Sequence, residues 1–141
     1  MSLDALLKRR IIEQIPVDRQ LVRNTFELAA RDIRTADTNA KAGHYDWAYA
    51  IAYNAILQAG RSLMFSRGYR SAGPNRHVSV MEFLSASGAA PEPVLFLLNA
   101  SRKKRHRVVY EQVDLVTKES AEEAIQLARE FMETVRKAVG T

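Results

Sequence analysis

The stretch Gly43-His-Tyr-Asp-Trp-Ala-Tyr-Ala-Ile-Ala-Tyr-Asn-Ala-Ile-Leu-Gln-Ala-Gly-Arg-Ser-Leu-Met-Phe65 decides the fold. From Trp47 to Phe65 it is apolar around most of a helical circumference, and a helix of that kind sits at the centre of its bundle. Asp46 is placed to cap it. Tyr45, Tyr49 and Tyr53 recur every four residues and so share one face, while Trp47 and Ile51 face elsewhere as core candidates. The tyrosine row reads as a helix–helix contact whose hydroxyls reach water. The alternative is a platform on which bases stack.

Working outward from this helix, the flanks are helical too. Leu3, Leu7, Ile11 and Ile15 stand at helical spacing, so residues 1–16 read as an extra helix stopped by Pro16. Asp18 can cap the next segment, where Val22, Phe26, Ala29, Ile33 and Ala36 form an apolar stripe ended by Asn39 to Gly43. Downstream, Arg67 to Asn75 reads as a loop, because Gly68, Gly73 and Pro74 cannot sustain a helix. Val78 to Leu84 is a short helical piece, and Ser85 to Pro91 a second loop. A further helix runs from Pro91 or Pro93 to Val113, with Pro93 suited to its first turn. The last helix opens on a capping box, Ser120-Ala-Glu-Glu123. Ala121, Ala124, Ile125, Ala128, Met132, Val135 and Val139 then line one face until Gly140. No stretch reads as a strand. The expectation is an all-α fold, one helical bundle of four to five helices, with residues 1–141 as a single domain.

Composition bounds the function. The chain has 141 residues, 47% of them hydrophobic and 26% charged. With no cysteine, a disulfide framework, a thiolate zinc site and a cysteine nucleophile are all excluded. No apolar run approaches the ~20 residues a membrane helix needs, and the N-terminus lacks the pattern of a secretory signal. A cytoplasmic address and no membrane partner are the expectation. There is no phosphate-cradling glycine loop and no paired-histidine motif. His44, His77 and His106 lie on separate segments, so neither a metal nor a cofactor is expected.

The net charge of +5 is concentrated. Residues 102–107, Arg-Lys-Lys-Arg-His-Arg, hold five formal positive charges in six positions, and the stretch from Glu111 to Glu133 is net acidic. At roughly 100° per residue, Arg105 projects almost where Leu98 does, which puts a cation on the apolar track of its helix. A buried arginine must be paired, or must face a groove or partner. Arg102, His106 and Tyr110 form a second row at four-residue spacing. Guanidinium, imidazole and phenol along one side of a helix suit RNA phosphate chemistry, since arginine clamps phosphate and histidine moves protons near neutrality. Arg102, Lys103, Lys104 and Arg107 are the candidate phosphate contacts. The plainer reading is a solvated basic face, with Arg105 paired to Asp37 or Asp46.

Two blocks resemble the HEPN domain (higher eukaryotes and prokaryotes nucleotide-binding), and the resemblance covers about residues 19–138. Gly43 to Leu63, then Gly68-Tyr and His77 ahead of Met81-Glu-Phe-Leu84, look like the family's central helix, loop and short helix. Arg105-His-Arg-Val-Val-Tyr110 stands where family members carry Arg, a polar residue, three more positions and His. The resemblance implies a symmetric homodimer whose motif helices face each other across a cleft. In active members that cleft cuts RNA without metal. Many members are encoded beside a minimal nucleotidyltransferase, as toxin and antitoxin.

Carried over, Arg105 takes the arginine's place, His106 the polar position and Tyr110 that of the catalytic histidine. These three are the candidate catalytic residues. Tyrosine has an unperturbed pKa of ~10 and is a poor base at neutral pH. The expectation is therefore a dimeric nucleic-acid- or nucleotide-binding protein, partnered with a nucleotidyltransferase, in which cleavage is weak or absent. The alternative is a metal-independent ribonuclease using Arg105 with His106 or Tyr110.

Overall fold

The computed structural model describes residues 1–100 and 116–140. Helix α1 (Leu3–Lys8) is followed by strand β1 (Ile12–Gln14), helix α2 (Arg19–Lys41), helix α3 (Tyr45–Ser66) and strand β2 (Tyr69–Ser71). Helix α4 (Arg76–Ser87), a helical stretch over residues 92–100 (α5) and helix α6 (Lys118–Val139) complete the order. The fold is all-α apart from the two short strands.

As the composition of α3 requires, that helix lies at the centre, packed against α2, α4, α6 and β2. The short link between Lys41 and Tyr45 makes α2 and α3 antiparallel neighbours. Their buried faces are rich in alanine: Ala29 and Ala36 on α2, and Ala48, Ala52, Ala55 and Ala59 on α3. Small side chains bring backbones together, and Ser62 Oγ donates to Val22 O at 2.8 Å across the contact. The apolar stripe of α6 is buried as read, from Ala121 to Val139, with Phe131 added to it.

The side chains sort into two contiguous clusters along α3. One surrounds its C-terminal half, from Tyr53 to Phe65, with Phe83 and Leu84 of α4, Leu98 of α5, and Phe131 and Val135 of α6. The other surrounds its first turns, where Ala48, Tyr49 and Ala52 meet Ala36, Val116, Ala121 and Ile125.

The N-terminal segment departs from the expected helix to Pro16. Helix α1 ends at Lys8, and Arg10 takes a left-handed conformation (φ 56°) that turns the chain out of it. Ile12, Glu13 and Gln14 then pair antiparallel with Ser71, Arg70 and Tyr69. The second strand lies in the stretch read as loop. Both strands are three residues long, too short for an alternation to register. Gly68 makes the pairing possible. Its φ is +82°, and a Cβ there would stand 3.1 Å from Ile15 O. Its carbonyl accepts from Ile15 N–H at 2.8 Å.

Two caps and the start of one helix also differ from the reading. Asp18 caps α2 as expected, accepting from Gln20 N–H at 2.9 Å. Asp46, however, lies inside the first turn of α3, behind His44. Helix α4 is longer than Val78–Leu84 because Asn75 caps it at Val78 N–H. Helix α6 starts on Thr117, whose hydroxyl accepts from Ser120 N–H at 3.1 Å, so Ser120 is the third helical residue and not the cap.

Candidate nucleic-acid interface

Arg102, Lys103, Lys104, Arg105, His106, Arg107 and Tyr110 all lie outside the described residues. What the structure supplies is the two ends between which that sequence runs. On the incoming side, Pro91 O accepts from Val94 and Leu95 N–H, so Pro93 sits in the first turn of α5 as expected. Val94 and Leu98 are buried in the larger cluster, and Leu97 packs partly against both. Phe96 points the other way and is 74% exposed, as a residue two positions from either buried neighbour must on a helix. On the outgoing side, Val116 is buried between Ala36, Ala48, Tyr49 and Ala121, and Thr117 then caps α6. Both ends are thus fixed in the core.

Beside Val116, the end of α2, the start of α3 and the first turns of α6 border a groove of about 670 Å³. Its charges are mixed. Asp37 stands 2.9 Å from Lys41 Nζ and 3.2 Å from Arg129 Nη2. These two cations, Lys41 first, hold its carboxyl below the usual aspartate value. Lys118 lies 3.9 Å from Glu122. The groove's cations therefore face carboxylates, and this surface is no phosphate clamp. Asp37, read as a possible partner of Arg105, already has two cations of its own.

The central helix divides its aromatics. Tyr49 and Tyr53 are buried, and only Tyr45 is partly exposed at the groove. The row is a packing face rather than a platform for bases. The hydroxyl of Tyr53 is itself buried, where the reading had it reach water. Its ring meets that of His77, with centroids 6.2 Å apart and planes tilted by 50°. Trp47, read as core, is 50% exposed. Helices α2 and α6 close over the Ala48–Tyr49–Ala52 side, and Trp47 lies outside that contact. Among the described residues no three His, Asp or Glu side chains converge to hold a metal ion, and no helix is long and apolar enough to cross a membrane.

Two polar features escaped the sequence reading. Asp32 interrupts the buried stripe of α2 at 6% exposure, and accepts from Asn54 Nδ2 at 2.9 Å and from Arg31 Nη2 at 3.1 Å. A carboxylate can occupy such a place because both oxygens are bonded. The other feature is arginine-rich. Residues 61–76 contain Arg61, Arg67, Arg70 and Arg76 and no carboxylate. Three of these, Arg61, Arg70 and Arg76, converge on one cavity although they belong to α3, β2 and α4. The signal was this run of one sign, spread too thinly to stand out beside residues 102–107.

No curated protein matches the chain in sequence. The family model of the HEPN domain matches residues 22–138, from the first turn of α2 almost to the end of α6.

Proposed function

The chain belongs to the HEPN domain family, and from that premise we propose that it acts as a single-domain, dimeric nucleic-acid- or nucleotide-binding protein with little or no cleavage of its own. Membership carries a nucleotide- or RNA-related function, and the sequence Arg105-His-Arg-Val-Val-Tyr110 carries the finer reading. Arg105 and the flanking Arg102, Lys103, Lys104 and Arg107 bind phosphate, which needs only charge and a bidentate fork. Cleavage needs more. A general base works best with a pKa near ambient pH, and the ordinary tyrosine value of ~10 is far above it. A minimal nucleotidyltransferase, in a toxin–antitoxin or subunit relationship, is the proposed partner.

Two features of the fold support the dimer. The helix leading into residues 101–115 exposes Phe96, a large apolar side chain that water does not favour. The same helix is anchored by Leu98, so its outward face is held rigid for a second copy.

The test is binding of single-stranded RNA across a salt series. Neutralising about four phosphates gives a log–log slope near −3 for single strands. Lys103→Glu with Lys104→Glu should weaken binding and flatten the slope. Binding that ignores salt, or that survives the double substitution, overturns the proposal.

A further inference from the structure

The cavity lined by Glu13, Arg61, Phe65, Arg70 and Arg76 has a volume of about 280 Å³. Its inner wall is apolar, since Met64 and Phe65 are buried. Arg61 enters from α3, half-buried, with its guanidinium 5.4 Å from the centroid of the Phe65 ring. It donates to Gln58 Oε1 at 2.7 Å. Arg70 arrives from β2 and pairs with Glu13, directly opposite it on β1. Arg76 is the first residue of α4.

The charges do not balance. Among the described residues Glu13 is the only carboxylate lining the cavity, and Arg70 pairs with it. Among the described residues neither Arg61 nor Arg76 has an ion-pair partner. Burial, and next the charge on Arg76, lower the pKa of Arg61, yet a guanidinium stays protonated throughout the physiological range. Two like charges held together, one of them half-buried, are unfavourable unless something anionic joins them. Three guanidinium groups against one carboxylate leave a charge of +2. A phosphate monoester carries about −1.5 to −2 near neutral pH, with three acceptor oxygens.

We infer that this cavity is a binding site for a phosphate monoester, held between the guanidinium groups of Arg61 and Arg76 with Arg70 at its rim. A phosphodiester carries one charge and two non-bridging oxygens, so the site favours a terminal phosphate over the interior of a strand. The ligand is inorganic phosphate, a mononucleotide, or the phosphorylated end of an oligonucleotide, all sharing one recognised group. The inference is independent of residues 102–107, which belong to a separate stretch of chain.

Calorimetric titration of the full chain at fixed ionic strength tests it, with inorganic phosphate, adenosine 5′-monophosphate, and one RNA oligomer bearing either a 5′-phosphate or a 5′-hydroxyl. Tightest binding among the three monoester probes identifies the source. Arg61→Gln and Arg76→Gln should each weaken binding about tenfold or more, the usual weight of a charge-assisted hydrogen bond. Glu13→Gln should tighten it, because the competing carboxylate is removed while the strand pairing stays. Arg76 and Glu13 lie at the surface, so these two variants keep the test decisive if Arg61→Gln fails to fold. Lys103→Glu with Lys104→Glu should weaken binding of the 5′-hydroxyl oligomer, while the loss of monoester binding on Arg61→Gln or Arg76→Gln should persist in that background, which separates this site from the RNA-binding reading. Absence of binding by all three monoesters overturns the inference. So does a Glu13→Gln variant that binds no tighter, or an oligomer that the Lys103→Glu/Lys104→Glu variant binds equally well with and without its 5′-phosphate.

Discussion

Asp37 on α2 and Arg129 on α6 form an ion pair at 3.2 Å, and the same carboxylate meets Lys41 at 2.9 Å one turn along its own helix. The first contact joins two helices that also meet through apolar side chains and through Arg19, whose Nη2 donates to Val139 O at 2.9 Å. Its pH dependence has a definite sign. The folded-state pKa of Asp37 lies below its ordinary value because the cations favour the charged form. The stabilisation is therefore complete above the unfolded value of ~3.9 and is lost as pH falls through the folded one. Asp37→Asn should lower Tm at pH 7, and the gap from wild type should close as pH falls below the ordinary aspartate range. A gap that persists unchanged in acid would show that charge is not its origin.

In the proposed reading, Tyr110 is the residue on which catalysis turns. Tyr110→His places an imidazole that titrates near neutrality five positions after Arg105, as in the family's arrangement. General acid–base help contributes about 10²–10⁴-fold, so RNA cleavage should rise measurably above the wild-type rate. Arg105→Ala in that background should abolish the gain. If the wild type already cuts RNA, His106→Asn stops it and Tyr110→Phe does not, then His106 is the working base and the ribonuclease reading replaces the proposed one.

Phe96 gives the proposed dimer its sharpest handle. Light scattering of the wild type should report 2 × 15.9 kDa at micromolar concentration, with an interface of about 1,200–2,000 Å². Phe96→Asp should shift the mass to the monomer and leave Tm largely intact, because the side chain has little to lose from the core. An unshifted mass would place the interface elsewhere.

Gly60 marks a close approach of α3 to α4. A Cβ there would lie 2.8 Å from Val80 Cγ1 and 3.1 Å from Leu84 Cδ1, and both neighbours are buried. Any side chain gains up to about 1 kcal/mol in helix propensity over glycine, but overpacking costs more. Gly60→Val should destabilise the fold by about 2–3 kcal/mol in chemical denaturation. A neutral result would mean that α4 is free to move away.

The sequence by itself determined the helices whose evidence is local. The stripes of α2 and α6 could be read because a period of 3.6 repeats over about six turns, and the centrality of α3 because an all-round apolar helix has nowhere else to go. The family could be read as well, since it rests on the order and spacing of residues along the chain. Where local signals competed, the tertiary structure decided. Thr117 and Ser120 both satisfy the chemistry of a cap, and α6 begins at the first of them, directly after the buried Val116. Trp47 is apolar enough for any core, but which side of a helix is covered depends on where its neighbours lie. The strands Ile12–Gln14 and Tyr69–Ser71 exist only as a pair, each supplying the hydrogen bonds the other lacks. The same pairing sets Arg70 opposite Glu13 and beside Arg61 and Arg76, so the arginine cavity arises from long-range contacts that no window of sequence contains.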